Sequence, residues 1–291
     1  MKIMVSGTSG FIGGAFIENL QKIENIEIRK VRNNPNVTEP GDIARNNGQI
    51  VVPAISQGYV NQTQTLIHLG NFTPKNKESL NNIGECSDSL EISRQLFFDT
   101  FPNLQKIIFA STIDVYEPNL GLIDEHSKVS IRNSYIASKI FSEQFALKAS
   151  LNKKIELDIF RIGHVYGQGD SHFQKFLPNL VRSFNSDLKF KLTTSLKQEL
   201  DLIYISDVVS VITQAALVPQ GRGITNLVSS NNITVNELIN FFETKLGKKI
   251  DLKIINSEHV VTNAQFNNAK LCRDFNFVET PIDVGLSRYF E

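Results

Sequence analysis

The chain of 291 residues carries 30 basic and 30 acidic side chains, so its formal net charge is zero. This balance argues against the basic surface that a nucleic-acid partner needs, and no apolar run approaches the length of a membrane span. Two isolated cysteines, Cys86 and Cys272, offer neither a disulfide framework nor metal-ligand spacing. We therefore expect no nucleic acid, no membrane and no metal as partners, and a location in a reducing cytoplasm.

A glycine-rich turn follows the first predicted strand. Residues 1–5 are apolar enough for a buried strand, and residues 16–23 repeat apolar side chains at helical spacing. Gly7, Gly10 and Gly13 lie between them. Strand, glycine turn and helix together form the layout that binds a dinucleotide pyrophosphate, because free N–H groups and the positive end of the helix dipole meet the phosphates. The alternative is a tight turn without a ligand, since three glycines alone are a weak motif.

The second predicted strand, at residues 26–31, ends in basic side chains. In a Rossmann arrangement this end lies near the adenosine ribose, where an NAD-selective site usually places an acid. No acid stands between Arg29 and Val37, whereas Arg32 and Asn33 follow the strand directly. A guanidinium suits a 2′-phosphate, so the pattern favours NADP(H) and leaves NAD(H) possible. A solvated basic turn would give the same pattern.

The rest of the first half alternates predicted strands with helices. Residues 33–64 are too few for a full helix, strand and helix, so we predict a trimmed connection that places Asp42 and Ile43 beside the adenine. His68 lies in the next strand and is assigned to the core rather than to a ligand set. The elements that follow are a strand at 65–71, a helix at 80–98, a strand at 104–110, a helix from 134 and a strand at 155–160. This alternation predicts an α/β fold with helices on both faces of a parallel sheet.

Tyr135 and Lys139 stand four residues apart on the helix that begins at Ser134, so they share one helix face. A free phenol has a pKa of about 10, and a neighbouring ammonium group lowers it. Tyr135 could then give or take a proton while a hydride moves. Thr112, at the end of a predicted strand, is placed to donate to the substrate oxygen, with Ser111 as the alternative.

Together these motifs resemble the extended short-chain dehydrogenases/reductases of the NAD-dependent epimerase/dehydratase group. Further stretches that carry the resemblance are 67–70, 109–116, 160–167, 201–208, 225–227 and 268–286. The resemblance implies an α/β fold with a Rossmann-type doubly wound parallel sheet at 1–165, to which segments near 203–230 return. It also implies a smaller C-terminal α/β lobe for the substrate, mainly 166–291, and a homodimer through the helices at 80–98 and 135–151.

The resemblance also implies roles for single residues, with Thr112, Tyr135 and Lys139 as the catalytic trio. The residues expected to hold the cofactor are Gly7, Gly10, Phe11, Ile12, Gly13, Arg32, Asn33, Asp42, Ile43, Leu69, Gly70, Asn81, Tyr135, Lys139, Ile162 and Val165. The residues expected to contact the substrate are Thr112, Tyr135, His164 and Lys175. His164 replaces an Asn found in many nucleotide-sugar members, either as an acid/base group or as a plain hydrogen-bonding substitute.

The second half departs from the family pattern where a nucleoside diphosphate would bind. Leu200 stands where members often carry an Arg before Asp201, and a second Arg has no counterpart at 263–266, which reads Asn-Ala-Gln-Phe. Lys175 or Lys197 would have to supply charge instead. The elements predicted here are a substrate-covering helix at 171–184 with Pro178 inside it, strands at 190–192 and 201–205, and a helix to Leu217 capped by Ser206 or Asp207.

The sequence therefore predicts an NADP(H)-dependent reductase of a keto-sugar, in particular a nucleotide-linked 4-keto-6-deoxyhexose. The first alternative is a nucleotide-sugar 4-epimerase that retains NAD and uses the same trio. The second alternative, from another class, is a dinucleotide-binding regulator without catalysis. The intact trio argues against the regulator.

Overall fold

A computed structural model of the chain describes residues 1–34, 36–118, 121–186, 189–255 and 264–291. Within these ranges the strands are β1 (Lys2–Ser6), β2 (Glu27–Arg32), β3 (Ile43–Asn46), β4 (Gln49–Val51), β5 (Thr65–His68), β6 (Lys106–Thr112), β7 (Leu122–Ile123), β8 (Glu156–Ile162), β9 (His164–Tyr166), β10 (Phe190–Leu192), β11 (Glu199–Tyr204), β12 (Gly223–Leu227), β13 (Asn232–Thr234), β14 (Leu252–Ile254) and β15 (Gln265–Phe266). The α-helices are α1 (Phe11–Leu20), α2 (Gln57–Gln62), α3 (Ile83–Phe98), α4 (Ser134–Lys153), α5 (Phe176–Ser186), α6 (Ile205–Leu217), α7 (Val235–Leu246), α8 (Ala269–Phe275) and α9 (Ile282–Ser287).

Eight of the described strands form one twisted sheet in the order β12-β8-β6-β5-β1-β2-β3-β4. Neighbouring strands are parallel except β3 and β4, which form an antiparallel hairpin. The chain order reverses between β1 and β5, and ligands of open α/β sheets bind at such a switch point, beyond the carboxyl ends of the strands. The predicted α/β fold with a Rossmann-type doubly wound sheet is confirmed.

Two apolar layers cover the faces of this sheet. One layer packs α1, α6 and α8 against the sheet around Phe16, Ile212 and Phe275. The other packs α3 and α4 around Phe97 and Ala146. Because both faces are covered, strands such as β6 are buried along their whole length and carry continuous apolar runs rather than alternating ones.

A further hydrophobic core lies outside the large sheet. It joins α5 and α7 to strands β10 and β11 through residues such as Leu180, Phe184 and Phe242. The described strands outside the large sheet form three small sheets: β13-β11-β9, β10-β14 and β15-β7. We refer to these elements as the smaller lobe, and the predicted division of the chain at residue 165 remains a prediction.

Two local predictions for the second half of the chain are wrong. Helix α5 begins at Phe176 rather than 171, because the Asp170 carboxylate accepts the His172 N–H at 3.1 Å and holds the preceding residues in a turn. Helix α6 follows Tyr204 and has no side-chain cap. Asp207 does not cap it, since its carboxylate accepts hydrogen bonds from Thr280 N at 2.9 Å and Thr280 Oγ1 at 2.6 Å.

Membrane-spanning helices and metal clusters are both absent from the described residues. No helix within these ranges is both long enough and apolar enough to cross a membrane. In the same ranges, no group of three or more His, Cys, Asp and Glu side chains is arranged to hold a metal ion.

Candidate active site

A cavity of about 1000 Å³ lies at the carboxyl ends of the parallel strands. Its walls come from the glycine turn after β1, the segments that follow β5 and β6, the first turns of α4, and the β9–α5 and β11 segments of the smaller lobe. A volume of this size accommodates a large organic ligand. The switch point of the sheet and the cavity therefore coincide.

The glycine turn is packed so closely that only glycine fits at two of its positions. A Cβ on Gly13 would lie 2.0 Å from the Gly7 carbonyl oxygen, and a Cβ on Gly7 would lie 2.6 Å from the backbone of Gly70. Gly7 also has φ of +80°, which favours glycine. Gly10 is the N-cap of α1 and brings no side chain to its free N–H groups. This cradle fits the diphosphate of a dinucleotide, which needs close backbone approach and a helix N-terminus.

Thr112, Tyr135 and Lys139 all line the same cavity. Asn133 is the N-cap of α4, and its side chain accepts the Ile136 N–H at 2.9 Å. Tyr135 and Lys139 lie on the first two turns of this helix. The Thr112 side chain lowers the pKa of the Tyr135 hydroxyl, which opposes the effect of burial. The structure thus brings together the three residues that the sequence predicts as catalytic.

The electrostatics of Tyr135 differ from the expectation. Burial raises the pKa of Tyr135 well above its usual range, the Asp114 carboxylate raises it further, and only the Thr112 hydrogen bond opposes them. Lys139 does not lower it here, because its Nζ donates to the Ala110 carbonyl at 2.9 Å and lies 6.0 Å from the centre of the Tyr135 ring. Tyr135 therefore holds its proton at neutral pH.

Lys139 is a buried ammonium with one neighbouring acid. Burial lowers the pKa of Lys139 to about 8, while the Glu143 carboxylate acts in the opposite direction. Its Nζ also lies 5.5 Å from the centre of the Phe109 ring. At pH 7 the side chain is still mainly charged, since that pKa remains above the pH.

A buried polar network beneath the cavity decides between the two candidate hydroxyls. Glu143 accepts hydrogen bonds from Ser111 Oγ at 2.5 Å and from Arg161 Nη2 at 2.8 Å. Ser111 is therefore occupied by this network, which ties β6, α4 and β8 together. Thr112 Oγ1 makes longer bonds, since it accepts the Asp114 N–H at 3.2 Å and donates to Asp114 Oδ2 at 3.3 Å, so it is the hydroxyl more readily available to a substrate.

Three residues predicted for the adenosine end lie outside the cavity lining. The carboxylate of Asp42 accepts Arg32 Nε at 2.5 Å and the Lys30 N–H at 2.7 Å, so it is engaged within the protein. Ile43 belongs to the core against α3. Asn33, in contrast, lines the cavity as predicted. Arg32 and Asp42 thus form an ion pair beside the site rather than inside it.

Asn81 has a different role from the one predicted. It lies outside the lining, and its Oδ1 accepts the N–H of Ser134 at 3.2 Å. This bond ties the end of a short 3₁₀ helix (Glu78–Asn81) to the start of α4. Asn81 therefore supports the helix that carries Tyr135. The remaining predicted cofactor residues, which all line the cavity, are Gly7, Gly10, Phe11, Ile12, Gly13, Leu69, Gly70, Tyr135, Lys139, Ile162 and Val165.

Arg45 is a cavity-lining cation that the sequence reasoning missed. It lies in β3, and its Nη1 donates to the carbonyl of Gly70 at 2.9 Å. Asn71, which follows Gly70, also lines the cavity. Nothing in the sequence marks Arg45, because it belongs to no motif and reaches the cavity only through the pairing of β3 with β2.

On the side of the smaller lobe, His164 and Lys175 line the cavity as predicted. Leu200 also lines it, so an apolar side chain faces the cavity where the family often has Arg. Lys197 does not line it, and Asn263, in the stretch that lacks the second arginine, lies outside the described residues. The Lys175 ammonium is paired with Asp170 at 3.0 Å.

Comparison with protein families and curated proteins gives concordant matches. The model of the NAD dependent epimerase/dehydratase family matches residues 3–227. The dTDP-4-dehydro-6-deoxyglucose reductase of Escherichia coli is 28% identical over 193 residues, which cover 64% of this chain and 60% of that protein. The match thus spans less than two thirds of that relative. A Bacillus subtilis (strain 168) protein described as an uncharacterized UDP-glucose epimerase, YtcB, is 24% identical over 277 residues, 87% of this chain and 84% of its own.

Solved structures share the fold over almost the whole chain. The UDP-glucuronic acid 4-epimerase of Bacillus cereus, crystallised with UDP-glucuronic acid and NAD, matches with a TM-score of 0.80 at 18% identity. The match covers 100% of this chain and 98% of the epimerase. At this identity the likeness concerns the fold alone.

Proposed function

The chain belongs to the NAD dependent epimerase/dehydratase family of enzymes, and on that premise we propose that it is an NADP(H)-dependent reductase of a keto-sugar. The proposed substrate is a 4-keto-6-deoxyhexose carried on a nucleoside diphosphate. One observation carries the proposal: Thr112, Tyr135 and Lys139 line the same cavity as the glycine turn. The Escherichia coli relative is a reductase by name, which supports the reductase direction.

In the proposed mechanism the bound nicotinamide supplies the hydride to the carbonyl carbon. Thr112 orients the carbonyl oxygen by donating a hydrogen bond. Tyr135 transfers its phenolic proton to that oxygen as the hydride arrives. The Lys139 ammonium, which donates to the Ala110 carbonyl in this structure, would have to turn from that carbonyl toward the phenolate that remains and stabilise it until a proton from solvent replaces the one transferred.

The proposed preference for NADP(H) rests on cations at the adenosine side. No acid stands between Arg29 and Val37, and Arg45 lines the cavity with its guanidinium bonded to a neutral carbonyl. A 2′-phosphate would be recognised by such a guanidinium through charge-assisted hydrogen bonds. Arg32 is the weaker candidate, because Asp42 already neutralises it. The alternative cofactor, NAD(H), is what the Bacillus cereus epimerase binds.

A nucleotide-sugar 4-epimerase is the second candidate function. It is favoured by the Bacillus subtilis relative, whose match spans most of both chains. An epimerase would retain NAD and return the hydride to the opposite face of the sugar. A regulator without catalysis is disfavoured because the trio is complete and assembled in one cavity.

One experiment separates these candidates. The purified protein is mixed with NADPH, or NADH, and dTDP-4-dehydro-6-deoxyglucose, and absorbance at the nicotinamide band is followed together with product formation. A reductase consumes one NADPH for each sugar reduced. Bound NAD in the purified protein, with sugar interconversion and no net oxidation, would establish the epimerase instead.

We further propose that the protein is a cytoplasmic homodimer built on α3 and α4. Ile83 on α3 and Phe141 on α4 are apolar side chains exposed to 70% and 48%, and an interface on these helices would bury them. A second copy would cover both helices. Sedimentation of the wild type and Phe141→Glu tests this, with a monomeric wild type as the outcome against the proposal.

A further inference from the structure

Lys175 bridges the two sides of the cavity. It precedes α5 in the smaller lobe, yet its Nζ lies 6.0 Å from the centre of the Phe11 ring. Phe11 is the first residue of α1 and belongs to the glycine turn. The ammonium group therefore stands beside the cradle for the cofactor diphosphate, although the sequence suggests it as a replacement for a substrate-binding arginine.

The position of Lys175 is held by a buried acid. The Asp170 side chain is only 2% exposed, and its Oδ2 pairs with Lys175 Nζ at 3.0 Å. Its Oδ1 accepts the N–H and Nδ1 of His172 at 3.1 and 2.8 Å. The Lys175 N–H in turn donates to the His172 carbonyl at 2.9 Å, which closes a tight turn. Asp170 thus anchors two cavity-lining side chains from a segment without regular structure.

The Lys175 side chain keeps the freedom to reach a ligand, since 43% of it is exposed. Across from it, the first turn of α1 offers backbone N–H groups behind Gly10, which has no side chain to occupy them. Backbone donors and a helix dipole contribute only partial positive charge. A diphosphate carries full negative charges, and Lys175 on the opposite wall is a cation that can add to these partial charges, although its pairing with Asp170 offsets part of its own charge.

We propose that Lys175, anchored by Asp170, binds the diphosphate of the dinucleotide cofactor from the smaller lobe. This inference rests on the proposed function, because it presumes that the glycine turn holds a dinucleotide. It reassigns Lys175 from substrate binding to cofactor binding.

The test compares diphosphates that belong to the two ligands. Binding of ADP, of adenosine, and of dTDP in the presence of saturating NADPH is measured by calorimetry for the wild type and Lys175→Gln. We expect the variant to bind ADP about tenfold more weakly, as for the loss of one charge-assisted contact, and adenosine and dTDP within about twofold of the wild type. Lys175→Arg, which keeps the charge, should restore ADP binding.

Lys197→Gln is the matched control, because Lys197 belongs to the same lobe and does not line the cavity. It should leave all three affinities unchanged. Weaker dTDP binding with unchanged ADP binding in Lys175→Gln would return Lys175 to the substrate and overturn the inference. Unchanged binding of both would overturn it as well. If the wild type itself binds neither ADP nor NADPH, the proposed function fails, and the inference with it.

Discussion

The proposed catalytic end of the cavity, formed by Thr112, Tyr135 and Lys139, is buried and hydrogen-bonded, whereas its outer end carries the exposed residues His164 and Lys175. At the catalytic end every side chain is held by a strand end or a helix turn. At the outer end, the segment between β9 and α5 has no regular secondary structure. The Asp170 carboxylate holds both His172 and Lys175 there. The contrast indicates that the chemistry is preorganised by the sheet, while substrate choice depends on a few exchangeable side chains.

The largest effect is expected from breaking the catalytic end itself. Tyr135→Phe removes the proton donor while keeping the buried ring, so kcat should fall by roughly 10³-fold, within the range of general acid catalysis. Affinity for NADPH should stay within a factor of about two, because a phenyl ring preserves the packing. Single-turnover kinetics and cofactor binding measure the two quantities. A kcat within tenfold of the wild type would remove Tyr135 from its role.

The glycine cradle should tolerate one alanine and reject another. Gly13→Ala places a Cβ 2.0 Å from the Gly7 carbonyl oxygen, so it should destabilise the fold by roughly 1–3 kcal/mol and weaken dinucleotide binding sharply. Gly14→Ala is the control, since its Cβ would meet only ordinary contact at 3.8 Å. That change should stabilise α1 by about 0.5–1 kcal/mol. Thermal unfolding and NADPH titration distinguish them, and equal behaviour of the two variants would contradict the cradle.

The buried charge of Lys139 should destabilise the folded protein at neutral pH. Its pKa of about 8 in the fold lies below the ordinary value of 10.5, so the unfolded chain binds more protons between these values and the free energy of unfolding rises with pH there. Lys139→Met should therefore abolish activity yet raise that free energy by roughly 3 kcal/mol at pH 7. The gain should shrink between pH 8 and 10.5.

Denaturant unfolding across this pH range measures the effect of Lys139→Met. Lys148→Met, an exposed position on the same helix, is the control and should show no such trend. A destabilised Lys139→Met at pH 7 would mean that the bond from Nζ to the Ala110 carbonyl outweighs the burial of the charge.

A smaller effect, on the preference between NADPH and NADH, is expected from replacing Arg45 or Arg32. Arg45→Ala should reduce the preference for NADPH over NADH by about tenfold, as for the loss of one guanidinium–phosphate contact. Arg32→Ala should change it less, because Asp42 already pairs with that guanidinium. The ratio of kcat/KM for the two cofactors gives the answer. The reverse ranking would assign the 2′-phosphate to Arg32.

The smallest effect should come from restoring charge at the outer end. Leu200→Arg introduces the family's usual cation into the cavity wall, so KM for a nucleoside-diphosphate sugar should fall by about threefold, the modest worth of one partly exposed charge contact. Leu200→Gln, similar in length but neutral, should not lower it. A raised KM in Leu200→Arg alone would indicate that this wall binds an apolar group.

The predictions from sequence succeed where the deciding residues are neighbours in the chain. The glycine turn, the alternation of strands and helices, and the placement of Tyr135 and Lys139 on one helix face all follow from spacing within a few residues. They are less reliable where a partner comes from another element of the fold. Asp207 was predicted as a helix cap, but Thr280 engages it, and Asp42 was predicted beside the adenine, but Arg32 and the Lys30 N–H of β2 engage it.

The sequence alone determined the doubly wound α/β fold, the glycine turn and the predicted trio of Thr112, Tyr135 and Lys139, because local periodicity and motif order depend on residues that are near one another in the chain. Only the tertiary structure decided that Ser111 serves Glu143, that Arg45 reaches the cavity, and that Lys175 stands beside Phe11. Those outcomes depend on which distant side chains compete for the same partner, and burial within the folded chain settles that competition.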